Sequence, residues 1–252
     1  MSLFSLDQYL RRIHFDGVAT PTLGTVSAIM RSQLASVPFE NLDVQAGKGI
    51  SIDPDQIVKK IIDRQRGGYC YEVNGLFSMA LDALAIPYFF VAARPLIHGG
   101  KKPRTHMALV VQLDGENWLC DCGFGGHGMR APMCLSLLDT EISQDNELFM
   151  LSRNDEQEFV LKSWVQHRWE EQYAFALTRQ SWIDFVPANH YNSTHPDSLF
   201  VQKLLVVLCT PTGRKILFGH TLKIIHNGHE VKRFLTADNR ATLLREEFGL
   251  CE

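Results

Sequence analysis

The sequence predicts an α+β protein in three parts: a helical N-terminal part over residues 1–86, an antiparallel β region over 87–195 and a smaller mixed part over 196–252. Three observations carry this. Apolar residues recur at three- and four-residue spacing up to about residue 84. After Pro87 they fall instead in short runs with the length and make-up of strands. Asp114-Gly115 then stands between two such runs, a strong hairpin signal. A chain of 252 residues can bury a sizeable core, and a composition of 45% apolar and 21% charged residues is that of a globular protein. With a net charge of −3 and no block of like charge, neither nucleic acid nor an anionic membrane is called for as a partner.

The first residues, MSLFSLDQYLRRIHF, mix apolar and charged groups, so they lack the apolar core of a signal peptide; no apolar run approaches the roughly 20 residues that span a bilayer. A cytoplasmic protein is expected. Leu3, Leu6 and Leu10 mark a first helix; Val26, Ile29, Met30 and Leu34 mark a second, with Thr22 as N-cap. Asp53 as N-cap and Pro54 at the first helical position open a third, with Ile57, Val58, Ile61 and Ile62 on one side. A fourth follows Cys70, where Val73, Leu76, Phe77, Ala80, Leu81 and Leu84 form a broad apolar stripe. The expected strands are YFFVAAR, HMALVVQL, NWLCDCGF, ELFMLS, EFVLKSWV, HRWEEQYAFAL, QKLLVVLCT, KILFG and LKIIH. Residues 181–198 read as a helical or irregular connector, Asn227-Gly228 as a turn, and 237–248 as a closing helix. There is no internal repeat.

Six cysteines in a chain of this length are read one at a time, as thiols of a reducing compartment. Cys70 follows Gly67 and Gly68 at the start of the fourth helix, where unpaired N–H groups favour an anion and the glycines would let the backbone turn sharply and approach a substrate closely. Position alone leaves open whether Cys70 is a nucleophile or a small buried hydrophobe. A nucleophile needs a base and a group to orient it. Of ten histidines, His106 stands out because it opens a strand directly after a polar loop. A two-residue turn at Asp114-Gly115 pairs Leu113 with Glu116, Ala108 with Asp121 and His106 with Gly123, which puts Asp121 on the face of His106 and diagonal to it. A register shifted by one would remove the argument, and an edge-strand aspartate facing water is the other reading.

The segments around these residues resemble those of the arylamine N-acetyltransferases: VPFENLDV at 37–44, RGGYCYEVNGLF at 66–77, PRTHMALVV at 103–111, WLCDCGFGG at 118–126 and NSTHP at 192–196, in family order. The resemblance implies a helical bundle, a β-barrel and an α/β lid with a cysteine-protease-like catalytic core, and Cys70, His106 and Asp121 as a triad. It implies acetyl transfer from acetyl-CoA, as co-substrate with no tightly bound cofactor, to an arylamine, arylhydrazine or N-hydroxyarylamine through an acetyl-cysteine, a reaction of xenobiotic metabolism. An internal Glu40–Arg66 ion pair and a structural Asn74 are implied in the same way. Cys122 stands where the family more often has valine; it should point away from Asp121 and leave the triad unchanged. Other readings are a transferase or amide synthase using a different acyl donor, a cysteine hydrolase, and a non-catalytic binder of CoA or an aromatic ligand.

Gly123 to Gly128 satisfies G-x-G-x-x-G after a strand, but Pro132 stands where a helix would be needed and no βαβ unit surrounds it. The loop is expected beside the acyl site, with Gly125 and Gly126 near CoA; Phe39 and Phe124 are contacts for an aromatic ring, or core. GGKK at 99–102 lacks P-loop spacing and reads as a solvated turn. Cys120-x-Cys122 with His127 or Cys134 lacks the second ligand pair of a structural zinc site, so no metal is expected.

Overall fold

The computed structural model describes residues 3–97 and 102–251. The GGKK reading lies outside these except for Lys102. The N-terminal part holds α1 (Leu6–Arg12), α2 (Leu23–Ser36), β1 (Phe39–Glu40), α3 (Leu42–Gln45), α4 (Pro54–Val58) and α5 (Cys70–Ala83). The expected caps are made: Thr22 Oγ1 accepts the Thr25 N–H at 3.3 Å and Asp53 Oδ1 accepts the Gln56 N–H at 3.1 Å. The third helix is interrupted, since after Val58 it passes into a π turn over Lys59–Asp63 while Ile57, Val58, Ile61 and Ile62 stay buried. Buried Arg12 holds this part together, donating to the carbonyls of Ile61 at 2.8 Å, Ser36 at 2.7 Å and Arg66 at 3.1 Å.

The central part is one antiparallel sheet of β2 (Tyr88–Pro95), β3 (His106–Leu113), β4 (Glu116–Cys120), β5 (Met133–Cys134), β6 (Ile142–Gln144), β7 (Glu147–Arg153), β8 (Phe159–Val165) and β9 (Arg168–Gln180), in the order β5-β4-β3-β2-β9-β8-β7-β6. Its two edges are joined by a side chain rather than a ladder. Gln144, at the end of β6, accepts the N–H groups of Arg130 at 2.7 Å and Ala131 at 3.1 Å and returns a bond to the Ala131 carbonyl at 2.9 Å, just ahead of β5. The sheet is thus curled toward a barrel and fastened at the seam.

The β3–β4 register is the expected one, Leu113 opposite Glu116 across a turn in which Asp114 and Gly115 have φ of 55° and 78°. The strand expected over 117–124 stops at Cys120. Asp121 turns its carboxylate onto the Gly123 N–H at 2.8 Å, a local bond that competes with the ladder and ends it.

Beyond a 3₁₀ turn at Trp182–Phe185, the chain forms α6 (Val186–Thr194), α7 (Leu199–Gln202), β10 (Leu205–Thr210), β11 (Gly213–Phe218), β12 (Thr221–His226), β13 (His229–Phe234) and α8 (Arg240–Phe248). A second sheet runs β1-β10-β11-β12-β13, so the N-terminal part supplies its first strand, Phe39 opposite Val207 and Glu40 opposite Val206. The strand expected from 202 begins at Leu205, because 199–202 is the helical turn α7. The closing helix begins at Arg240 rather than 237: Asn239 Oδ1 accepts the Thr236 N–H at 2.8 Å and shapes a turn first. Strand β13 was not expected, since all six residues of HEVKRF are exposed and show no alternation. Among the described residues, no helix is long and apolar enough to cross a membrane.

Candidate active site

Cys70 is the first residue of α5, as its position predicts. The turn into it is narrow. A Cβ on Gly67 would lie 2.0 Å from the Pro38 carbonyl oxygen, and one on Gly68 would lie 2.6 Å from the Glu72 Cβ. These glycines let the loop pack against β1 and the helix; the expectation that they approach a substrate is not met, since neither lines the cavity described below. Glu72 accepts the Tyr69 N–H at 3.0 Å and Lys60 Nζ at 2.7 Å, while Lys60 also meets Asp43 at 2.8 Å. The Glu40–Arg66 pair is present at 2.7 Å beside them. Burial raises the Glu72 carboxyl to about 7, with Lys60 opposing and Glu40 adding to the shift. A charged cluster therefore stands behind the helix start.

His106 and Asp121 meet as the register predicts, Nε2 to Oδ2 at 2.7 Å. The other Asp121 oxygen accepts Asn74 Nδ2 at 2.9 Å and the Gly123 N–H at 2.8 Å. Asn74, one turn along α5 from Cys70, also donates to the Met107 carbonyl at 2.7 Å and accepts the Cys122 N–H at 2.8 Å. One amide thus fixes the helix, β3 and the end of β4 to each other. Burial alone would raise the Asp121 carboxyl; the charge and hydrogen bond of His106, then Asn74 and Gly123, outweigh it and hold the group below its ordinary value. An ionised Asp121 accepts, so Nε2 carries the proton and Nδ1 is the basic nitrogen. Nδ1 has no protein hydrogen bond among the described residues. The ring is held by Phe124 at 5.2 Å and Tyr173 at 4.9 Å between centroids.

Cys70 Sγ lies 3.9 Å from the Thr105 carbonyl oxygen, the residue before His106. The cysteine is 2% exposed, and what opening it has is to a cavity of about 410 Å³ lined by Cys70, His106, Phe124, Gly125, Asn192 and Phe200, among others. Burial pushes its thiol up, against the lowering by backbone groups of Met107 and Tyr71; Asp121 adds to the rise. The helix start does not prevail over desolvation. A thiol whose proton is held more tightly by burial relies on a nearby base when it reacts.

The cavity receives Phe124 and Gly125, but not Phe39 or Gly126. Phe39 is consumed by β1, buried against Phe200 at 5.9 Å and under Gly125, while Gly126 lines a separate small crevice with Phe39 and Arg214. The Gly126 carbonyl is bound by Arg214, which also donates to the Gly128 carbonyl at 3.0 Å. Sequence reasoning missed Tyr71 and Asn192, which donate to the Thr105 carbonyl at 2.6 and 2.9 Å, and Tyr173, whose ring backs His106. The aromatic pair flanking Cys70 and the NSTHP segment were the available signals. Among the described residues, all six cysteines are free and no three potential metal ligands cluster. A surface depression of about 480 Å³ over Phe89, Arg179 and Trp182 is lined by neither cysteine nor histidine.

A sequence-family model described as N-acetyltransferase matches residues 22–251. The arylamine N-acetyltransferase of Escherichia coli is 32% identical over 250 residues, covering 97% of this chain and 88% of that one. A Salmonella typhimurium protein named arylamine N-acetyltransferase / N-hydroxyarylamine O-acetyltransferase is 30% identical with the same coverage. The solved structure of Mycobacterium marinum arylamine N-acetyltransferase in complex with CoA superposes with a TM-score of 0.92 at 30% identity, covering 97% of this chain and 92% of that one.

Proposed function

This chain belongs to the arylamine N-acetyltransferase family, and from that premise we propose that it transfers an acetyl group from acetyl-CoA to the nitrogen of arylamines, arylhydrazines or N-hydroxyarylamines through an acetyl-cysteine at Cys70. The observation that carries the reading is the His106–Asp121 bond of 2.7 Å beside a cysteine that opens on a cavity. In the first half-reaction the Cys70 sulfur attacks the thioester carbonyl, His106 Nδ1 takes the thiol proton, and the proton leaves with the CoA sulfur. In the second, an amine nitrogen attacks the acetyl carbon, the carbon–sulfur bond breaks, and the amine proton returns through His106 to Cys70.

Each protein group has a physical task. Asp121 fixes the imidazole tautomer and stabilises the imidazolium that forms at each step. The backbone N–H groups at the start of α5, beside Cys70, are the donors for the developing oxyanion. Exchange of one thioester for another is nearly isoenergetic, and amide formation gives the sequence its direction. Arylamines suit the site because they are unprotonated, hence nucleophilic, at neutral pH, whereas an alkylamine is mostly ammonium. In this reading residues 1–86 bring the nucleophile, 87–195 the base and its carboxylate, and 196–252 cover the cavity from the side of Phe200, Lys203 and Phe218. Free thiols suit a reducing, cytoplasmic setting.

The test is acetylation of a simple arylamine by acetyl-CoA with the wild-type protein and with Cys70→Ala. Loss of at least roughly a thousandfold is expected in the variant; equal rates would end the proposal. A panel of acyl-CoAs scored for acyl-Cys70 separates acetyl transfer from a preference for another acyl donor.

A further inference from the structure

Asn192, on α6, is 3% exposed and lines the cavity with Cys70 and His106. Its amide nitrogen donates to the Thr105 carbonyl at 2.9 Å and to the Tyr71 hydroxyl oxygen at 3.4 Å. A carbonyl oxygen only accepts, so the nitrogen must be the atom facing Thr105. Tyr71 gives its own hydroxyl proton to the same carbonyl at 2.6 Å, so toward Asn192 it accepts. Both amide hydrogens are thereby committed.

Asn192 Oδ1 is left, accepting nothing from the described residues. The sealed side-chain polar atoms without a partner, among the described residues, are Ser152 Oγ and Tyr173 Oη; Asn192 Oδ1 is not one of them and so keeps some accessible surface, on a side chain that lines the cavity. An amide oxygen in so buried a side chain is costly without a donor, and the donor has to come from what enters. Cys70 Sγ contacts the same Thr105 oxygen at 3.9 Å. Sulfur and amide nitrogen are therefore no farther apart than those two contacts laid end to end, the span of one small acceptor group.

We propose that Asn192 Oδ1 accepts the hydrogen that an arylamine nitrogen keeps in the product, and so is the residue that favours a primary arylamine over an N-alkylated one; an N-hydroxyarylamine, whose single N–H goes to His106, presents its O–H there instead. The inference rests on the acetyl-Cys70 reading. The nitrogen lone pair forms the N–C bond, the C–S bond breaks with its electron pair going to Cys70, one N–H proton passes by His106 to that sulfur, and the second N–H becomes the amide N–H. As the N–C bond forms the nitrogen turns cationic, and its bond to Asn192 becomes charge-assisted, stronger in the transition state than in the bound amine. An N-methylarylamine has a single N–H, which His106 removes. It offers Asn192 none.

The experiment separates the two half-reactions. Acetyl-Cys70 is formed from acetyl-CoA and followed by intact-protein mass spectrometry, then discharged with aniline or N-methylaniline. Asn192→Leu should form acetyl-Cys70 within about threefold of the wild-type rate yet discharge to aniline roughly tenfold to a hundredfold more slowly, with N-methylaniline changed less than about threefold. Tyr71→Phe removes the other donor to Thr105 but leaves Oδ1, and should keep the wild-type ratio between the two amines. A ratio that shifts equally in both variants, or in neither, overturns the inference, because Asn192 would then only support the Thr105 carbonyl. If Asn192→Leu does not fold, the wild-type protein decides: its preference for aniline must exceed that of a simple thioester in water by about tenfold or more. Absence of any acetyl-Cys70 overturns the underlying reading first and the inference with it, an outcome distinct from an unchanged ratio.

Discussion

Two hairpins of this molecule are built by the same turn and differ in everything else. Asp114-Gly115 joins β3 to β4 and Asn227-Gly228 joins β12 to β13, each with two residues at positive φ, 55° and 78° in the first, 48° and 79° in the second. Each sets a tight register, Leu113 opposite Glu116 and His226 opposite His229. The first six residues of β3 are buried, and the hairpin ends at the His106–Asp121 pair. Every residue of β13 is exposed, with Lys232 and Glu230 paired at 3.2 Å on a charged edge that discourages further strand addition. Turn chemistry fixes a local register in both places; burial decides whether function depends on it.

The largest expected difference between the hairpins comes from inserting one glycine into each turn. At Asp114-Gly115 the shift sends every side chain of β4 to the opposite face and takes Asp121 from His106. Acetyl transfer should fall by roughly a thousandfold or more there, and by no more than about twofold for the same insertion at Asn227-Gly228. Comparable losses at both turns would show that the second hairpin also shapes the site.

Next in size is an effect at the junction of the two sheets. His127 is partly buried beside Arg214 of β11, and burial, then the Arg214 charge, lowers it to about 4. The unfolded chain takes up this proton near pH 6.5 and the folded one only near 4, so acidification through that window favours unfolding. Chemical denaturation should find the protein losing on the order of 2 kcal/mol between pH 6.5 and 4 through this group. His127→Gln should flatten that slope; an unaltered slope would remove His127 from the account.

The smallest contrast is in packing. Val110→Ala, at a fully buried position of β3, should cost about 2 kcal/mol, and Val231→Ala in β13, 56% exposed, less than about 0.5 kcal/mol. Equal denaturation midpoints for the two variants would contradict the assignment of burial as what separates the hairpins.

The same contrast explains what could be read from the sequence. The α5 stripe, the Thr22 and Asp53 caps and both turns are local signals, and the Asp114-Gly115 register alone was enough to bring Asp121 to His106. Strand β13 escaped because a strand wet on both faces has no alternation to see. Strand β1 escaped because two residues cannot announce a pairing with Val206 and Val207 far along the chain, and that pairing carried Phe39 away from the cavity. The Thr105 carbonyl, on which Cys70, Tyr71 and Asn192 converge, belongs to tertiary structure and left no local pattern. Cys70 itself was found at a helix start, but the balance there falls to desolvation, a quantity that no spacing reveals.

The most direct measurement is therefore of the sulfur as it acquires the acetyl group. Wild-type protein exposed briefly to acetyl-CoA without an amine should carry one acetyl group, mapped by peptide mass spectrometry to Cys70, and Asp121→Asn should acquire it at least roughly a hundredfold more slowly. Label on any other residue, or an Asp121→Asn variant acetylated at the wild-type rate, would contradict a thiol, imidazole and carboxylate acting together.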